Sequence, residues 1–290
     1  MRFYQAVADG ILVGGVYALM AVGLTLIFGV LDIINIAQGI LVVLAAYLSY
    51  TLSVHLHLDL FAGLLVTIPI MFVLGVGIQT LFIRRLRGPE RTSMSLLASY
   101  SVLIIIEGVL YWGFGPNYVQ LTAWYVTATV RVFGFYLPYI YLFGFGLAVA
   151  IVAALYLLLY RTKFGRSVRA TMQNPVAARL IGIDVNRVAA IAFGIGVGLT
   201  AVGGMVFGAT STFNPNSGYD LISRLLAIII LGGLGSIGGA LAAAVSMTTI
   251  EALVNIWSPT WSVVVFYAAL VIVLTFRPDG LFGRRAARAQ

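Results

Sequence analysis

Two glutamates, Glu107 in "LIIIEGVLYW" and Glu251 in "TTIEALVNIW", interrupt long apolar runs. An ionisable group at that depth in a membrane costs about 2.5–3.5 kcal/mol on insertion scales, so it must face a bundle interior, a cavity or a partner. Lining a solute path or carrying a coupling proton would be its chemistry; a structural hydrogen bond or ion pair is the plainer alternative. Asn35, Gln38 and Gly39 in "NIAQG" break another apolar stretch. Asn35 and Gln38 are three apart, which puts them on one helical face. They suit either a solute path between broken helices or hydrogen bonding that holds helices together. "GLGSIG", residues 233–238, has the spacing of a dinucleotide turn, with Glu251 at about the right remove for a ribose ligand. His55, His57 and Asp59 in "VHLHLD" are the nearest approach to a metal-ligand cluster, and two histidines in a short loop make a poor one. No Ser/His/Asp or Cys/His set is assembled, so enzymatic chemistry is not expected.

What surrounds these residues decides among the readings. Of the 290 residues, 61% are hydrophobic and 9% are charged, with a mean hydropathy of +1.06. Soluble domains carry about 25% charged residues. So few charges cannot cover a water-soluble globule, and most of this surface must face lipid. Apolar segments near the 20 residues needed to cross a bilayer run from Val7 to Phe28, Ile33 to Leu52, Phe61 to Ile83 and Met94 to Phe114. Four more run from Tyr139 to Tyr160, Val188 to Ala209, Ala240 to Ile256 and Trp261 to Phe276. Leu221–Leu231 is a ninth crossing or a half-helix. The expected fold is an all-α polytopic membrane protein of about eight transmembrane helices (seven to nine), with broken or re-entrant segments. In that setting the glycines of 233–238 serve close helix approach or a helix break, and no βαβ unit is present to hold a dinucleotide.

The net charge of +8 does not imply nucleic acid, because the basic residues cluster at the ends of apolar segments. Arg84, Arg85, Arg87 and Arg91 form one cluster; Arg161, Lys163, Arg166, Arg169, Arg179 and Arg187 a second; Arg277, Arg284, Arg285 and Arg288 a third. Placing all three in the cytoplasm puts the aromatic loop 115–137 and "STFNPNSGYD" (211–220) outside. The N-terminus is then outside if Ile33–Leu52 crosses fully, and inside if that segment is re-entrant. Asp220 and Arg224, four apart at the outer edge, have the spacing to pair with each other and are expected to be interfacial anchors. The chain has no cysteine, hence no disulfide or thiolate chemistry, and its first apolar stretch reads as a true span rather than a signal peptide.

One connection carries complete helix punctuation. In the intracellular loop 161–187, Asn174 is a candidate N-cap, Pro175 occupies the first helical position and Gly182 is a C-terminal stop. Val176, Ala177, Leu180 and Ile181 give helical apolar spacing. Two turns of helix are unstable alone in water, so this one needs a partner surface. Its small apolar residues favour a protein groove over a lipid interface, which prefers large anchors. Arg166 and Arg169 lead into it and are placed to meet acidic groups of a partner or lipid phosphates.

"GGVYALMAVGLTLIFGVLDIINIAQGILVVLAAY" (14–47), "GRSVRATMQNPVAARLIGIDVNRV" (165–188) and "LGGLGSIGGALAAA" (231–244) resemble the permease subunits of branched-chain amino acid ABC importers of the LivH type. The resemblance runs in order along nearly the whole chain and implies a single permease domain over residues 1–290. It gives the cytoplasmic loop the role of a coupling element docking on an ATP-binding subunit, carried here by Gly165, Arg166, Arg169, Asn174, Pro175, Ala177, Ala178, Leu180 and Gly182. The path is expected along Asn35, Gln38, Gly39, Glu107, Gly233, Gly235, Ser236 and Glu251. The implied partners are two ATP-binding subunits, a sister permease in preference to a second copy, a solute-binding protein and the lipids of a bacterial inner membrane. Family members often carry His where this chain has Gln38, which leaves the cargo open. The chain has no GxxxxGK(S/T) motif, so ATP belongs to the partners and no cofactor to this chain. The rival expectation is a stand-alone secondary transporter using Glu107 or Glu251 for proton coupling.

Overall fold

The computed structural model describes residues 2–86, 91–132, 135–278 and 280–282. Of the basic clusters, Arg87, Arg284, Arg285 and Arg288 lie outside the described residues.

Among the described residues, eight helices are long and apolar enough to cross a membrane. The first four are α1 (Arg2–Leu31), α2 (Gln38–Leu56), α3 (Leu60–Leu81) and α4 (Arg91–Phe114). After a short α5 (Trp124–Thr127) and a hairpin of β1 (Thr129–Val132) and β2 (Phe135–Pro138) comes α6 (Tyr139–Arg161). Two short helices, α7 (Lys163–Gln173) and α8 (Pro175–Leu180), lead into α9 (Val185–Gly198) and α10 (Thr200–Thr210), which together make one span. The chain closes with α11 (Gly218–Gly232), α12 (Ile237–Asn255) and α13 (Pro259–Phe276). α11 has 15 residues. At 1.5 Å rise it measures about 22 Å, short of a hydrocarbon core of about 30 Å. It is the half-helix that Leu221–Leu231 suggested.

α1 is the central element, packed between α12, α6 and α9. Lipid supplies no hydrophobic drive between helices, so close contact through small residues holds them together. Gly23 of α1 and Gly196 of α9 show this most clearly. A Cβ at either would stand 2.6 Å from the other's carbonyl oxygen, so the two backbones touch. On α12, the Thr248 hydroxyl donates to the Gly10 carbonyl of α1 at 2.8 Å.

The N-terminus is tied to the hairpin. Gln5 accepts from the Tyr136 amide at 3.0 Å and donates to the Tyr136 carbonyl at 2.7 Å. α1 therefore starts at the end of the bundle that carries the 115–138 connection, and α2 runs back toward that end as a full crossing. This is the parity that places both together on the side opposite α7 and α8. The hairpin itself departs from an all-helical reading; Thr129 to Pro138 is a short two-stranded ribbon set in an aromatic loop. Beneath it, Asp59 caps α3 by accepting from the Phe61 amide at 2.9 Å and receives the Tyr125 hydroxyl at 2.7 Å. Burial, then the bond to Asp59, raises the Tyr125 phenol above its ordinary pKa. His57 ends α2 in the left-handed conformation, φ 51°, and among the described residues no His/Cys/Asp/Glu group is arranged for a metal ion.

Candidate functional site

The chain leaves α6 by a sharp reversal. Thr162 caps α7 by accepting from the Gly165 amide at 3.0 Å, and Gly165 sits directly on the Leu158 and Leu159 carbonyls, where a side chain would overlap them. The Arg169 guanidinium turns back to the Leu159 carbonyl and lies over the Tyr160 ring, 4.9 Å from its centroid. A cation there meets the free carbonyls and negative end of α6. Arg166 is exposed and Arg169 is half-buried against its own chain.

The punctuation read for α8 is realised atom by atom. Asn174 accepts from the Val176 and Ala177 amides at 2.9 and 3.0 Å. Pro175 opens the helix, and Gly182 leaves it at φ +83°, a left-handed conformation that favours glycine. Of its residues only Ala178 is buried, 2% exposed, so it attaches α8 to the rest of the protein. Ala177 is exposed, and the larger apolar side chains point away: Val176 is 65% exposed, Leu180 84% and Ile181 74%. A capped helix that presents apolar side chains to solvent has the form of a docking element.

Behind α8, α7 packs on α1 and α9. The Met172 side chain rests on Gly29 near the end of α1, and Gly29 lies beside Gly235. A groove of about 350 Å³ runs between α7 and the 233–238 turn, with Arg169, Met172, Gly235 and Ser236 in its walls. Gly233 and Gly235 both have positive φ, +94° and +81°. The Ser236 hydroxyl caps α12 by accepting from the Gly239 amide at 3.1 Å. The six-residue motif is thus a turn between two antiparallel helices, preceded by helix rather than strand.

Asn35, Gln38 and Gly39 lie at the break between α1 and α2. Asn35 donates to the Gln38 side chain at 3.0 Å, and Gln38 donates to the Gly196 carbonyl at 3.2 Å. Both are enclosed, 1% and 0% exposed. Gly39 is packed against Gly218 and Ile222 of α11.

At the hairpin end a cavity of about 850 Å³ opens between α1, α6, α10, α11, α12 and α13. It was not legible from spacing, because six helices from α1 to α13 build it. Glu251 is in its wall, paired with Arg224 through both carboxylate oxygens at 2.8 and 2.6 Å. The Asp220–Arg224 pair that the spacing allows is replaced by this one. Antiparallel packing of α11 and α12 brings Glu251 opposite Arg224 with two oxygens aligned, and Asp220 stays exposed at the cavity rim. Asp9, Tyr17 and Tyr267 also line the cavity and were not singled out. Glu107, half-buried on α4, accepts from the Tyr219 hydroxyl at 2.8 Å. It faces α11 from the other side.

Comparison with known proteins agrees with this architecture. Residues 6–274 match the family described as branched-chain amino acid transport system / permease component. The chain is 27% identical to the high-affinity branched-chain amino acid transport system permease protein BraD of Pseudomonas aeruginosa, over 98% of this chain and 96% of that protein. Identity to the corresponding permease protein LivH of Salmonella typhimurium is also 27%, with the same coverage. The autoinducer 2 import system permease protein LsrC of Klebsiella pneumoniae is 35% identical over 50% of this chain and 44% of its own length. A matched family spanning nearly the whole chain, eight membrane-length helices and a short capped helix between the fifth and sixth of them lead to one assignment: this chain is a multi-pass membrane protein of the branched-chain amino acid transport permease family.

Proposed function

We propose that the chain is the permease subunit of an ATP-driven importer for branched-chain amino acids or a related small solute, seated in the bacterial inner membrane. The observation that carries this reading is the outward apolar face of α8, capped at both ends and left uncovered by the described residues of its own chain. One of two separate ATP-binding subunits would cover it, since the sequence holds no phosphate-binding loop of its own. A sister permease and a solute-binding protein at the hairpin end would complete the importer.

In this mechanism, closure of the ATP-binding subunits pushes on Val176, Ala177, Leu180 and Ile181. Ala178 and the packing of α7 pass that movement inward. Met172 carries it to Gly29 and the Gly233–Gly235 turn, where two positive-φ glycines let α11 and α12 shift against each other. No cofactor is needed on this chain. Gln38 is bonded to Asn35 and Gly196 rather than turned to the cavity, so its difference from the family's frequent His reads as a change in helix packing. It gives no reason to assign a different cargo.

The test is reconstitution. Proteoliposomes holding this chain, its sister permease and the two ATP-binding subunits, supplied with the binding protein, are expected to accumulate labelled leucine only with ATP. Omitting the ATP-binding subunits is expected to abolish uptake. Uptake by the chain alone under a proton gradient would instead establish the secondary-transporter mechanism.

A further inference from the structure

The open cavity at the hairpin end holds one feature that packing does not explain. Arg224 and Glu251 form an ion pair well inside the bundle, each side chain about three-quarters buried (24% and 20% exposed). Arg224 lies six residues into α11, and Tyr267, in the same cavity, eight residues into α13. The cavity therefore reaches on the order of 10 Å below the helix ends. Apolar residues of similar volume generally serve stability as well as a buried ion pair does, and charge at membrane depth is costly. Both residues line the cavity.

We propose that Arg224 is a specificity-determining residue of the path, the group that takes the carboxylate of the solute, and that Glu251 is the positioning residue that holds it. This rests on the transport reading above. The guanidinium has five N–H donors in a planar fork. One terminal nitrogen takes both Glu251 oxygens, and the remaining donors have no hydrogen-bond partner among the described residues. Phe266 lies under the guanidinium, 5.5 Å from ring centroid to the central carbon, which fixes its plane. Among the described residues Arg224 is the only basic side chain lining the cavity, against carboxylates at Asp9, Asp220 and Glu251. A solute carrying both a carboxylate and an ammonium would find a donor fork and acceptors within one cavity. A volume of about 850 Å³ is in the range of small-molecule sites, 300–1,000 Å³. A fork-to-carboxylate contact is bidentate in a way an ammonium cannot copy.

The experiment compares R224K, R224Q and the double swap R224E/E251R with the wild type in the complete reconstituted importer. It reads ATP-dependent uptake of labelled leucine, uptake of labelled ribose as a neutral solute, and thermal unfolding in detergent. R224K keeps a cation opposite Glu251 and is expected to unfold like the wild type, yet to lose about tenfold in leucine uptake rate at saturating binding protein. R224Q is expected to lose more. The double swap restores an ion pair but moves the guanidinium, so its uptake is expected to stay at the R224Q level. Recovery by the swap, or unchanged uptake in R224K, overturns the proposal and leaves the pair a structural one. ATP-dependent uptake of ribose but not leucine by the wild type also overturns it while sparing the transport reading. ATP-dependent uptake of neither solute removes the transport reading itself.

Discussion

Replacing Leu180 and Ile181 together with glutamate is expected to reduce uptake to background while leaving the permease folded and inserted. Both side chains are exposed in this chain, 84% and 74%, and surface substitutions usually shift stability by about 0.5 kcal/mol or less. Their cost falls on the docked state. Apolar anchors seated in a partner's groove are worth about 2 kcal/mol or more each when removed. Losing two would weaken assembly by about a thousandfold, at about 1.4 kcal/mol for each factor of ten. Co-purification of the ATP-binding subunits with the variant is the direct measure, and it is expected to fail. Ala178→Glu gives the contrast. Ala178 is 2% exposed, so a carboxylate there would be buried without a partner. That variant is expected to lose folded yield as well as uptake. If L180E/I181E retains both its partners and its uptake, α8 does not dock through this face.

The second large effect is expected at the contact of α1 with α9. Gly196→Val places a Cβ 2.6 Å from the Gly23 carbonyl oxygen and 2.7 Å from the Ile27 side chain. The first obstacle is helix backbone, which cannot rotate away. Overpacking costs about 1–3 kcal/mol. Prising the helices apart also strains the hydrogen bond that Gln38 donates to the Gly196 carbonyl, worth about 1 kcal/mol. Together these amount to about 3 kcal/mol, a large share of a total stability of about 5–15 kcal/mol. Thermal unfolding in detergent is expected to fall by about 6–12 °C. Gly77→Ala on α3 is the control, because nothing stands within 4 Å of a Cβ added there and alanine is the better helix former. An unchanged unfolding temperature in G196V would mean that the two helices are not in backbone contact.

What could be read from the residues follows from the range of the forces involved. Span positions were legible because length and apolarity alone set them, and each of the eight long segments falls on one of the eight membrane-length helical spans. The ends of α8 were legible because Asn174, Pro175 and Gly182 act within one turn of chain. The direction in which α8 faces was not. Ala177 and Ala178 are adjacent and identical, and only the packing of α8 on α7 and α9 decides that one is open and the other enclosed. Arg224 shows the same limit. Its local neighbour Asp220 is one helical turn away, but its partner is 27 residues on, supplied by antiparallel packing that spacing does not encode. The β1–β2 hairpin was missed because four-residue strands in an aromatic loop carry too little alternation to stand out. Met172 had no local signal; its contact with Gly29 exists only once α7 folds beneath α1.

In the proposed importer the exposed face of α8 is seated on an ATP-binding subunit. The chain contains no cysteine, so single cysteines can be introduced into it without background. With a short bifunctional thiol reagent and a cysteine in the facing subunit, V176C, L180C and I181C are each expected to cross-link in the assembled importer, with yields that change when ATP is bound. A178C, turned inward, is expected to stay unlinked. Absence of cross-linking from all three outward positions in a complex that transports, or labelling of those cysteines by a membrane-impermeant thiol reagent added from the hairpin side, would contradict the account.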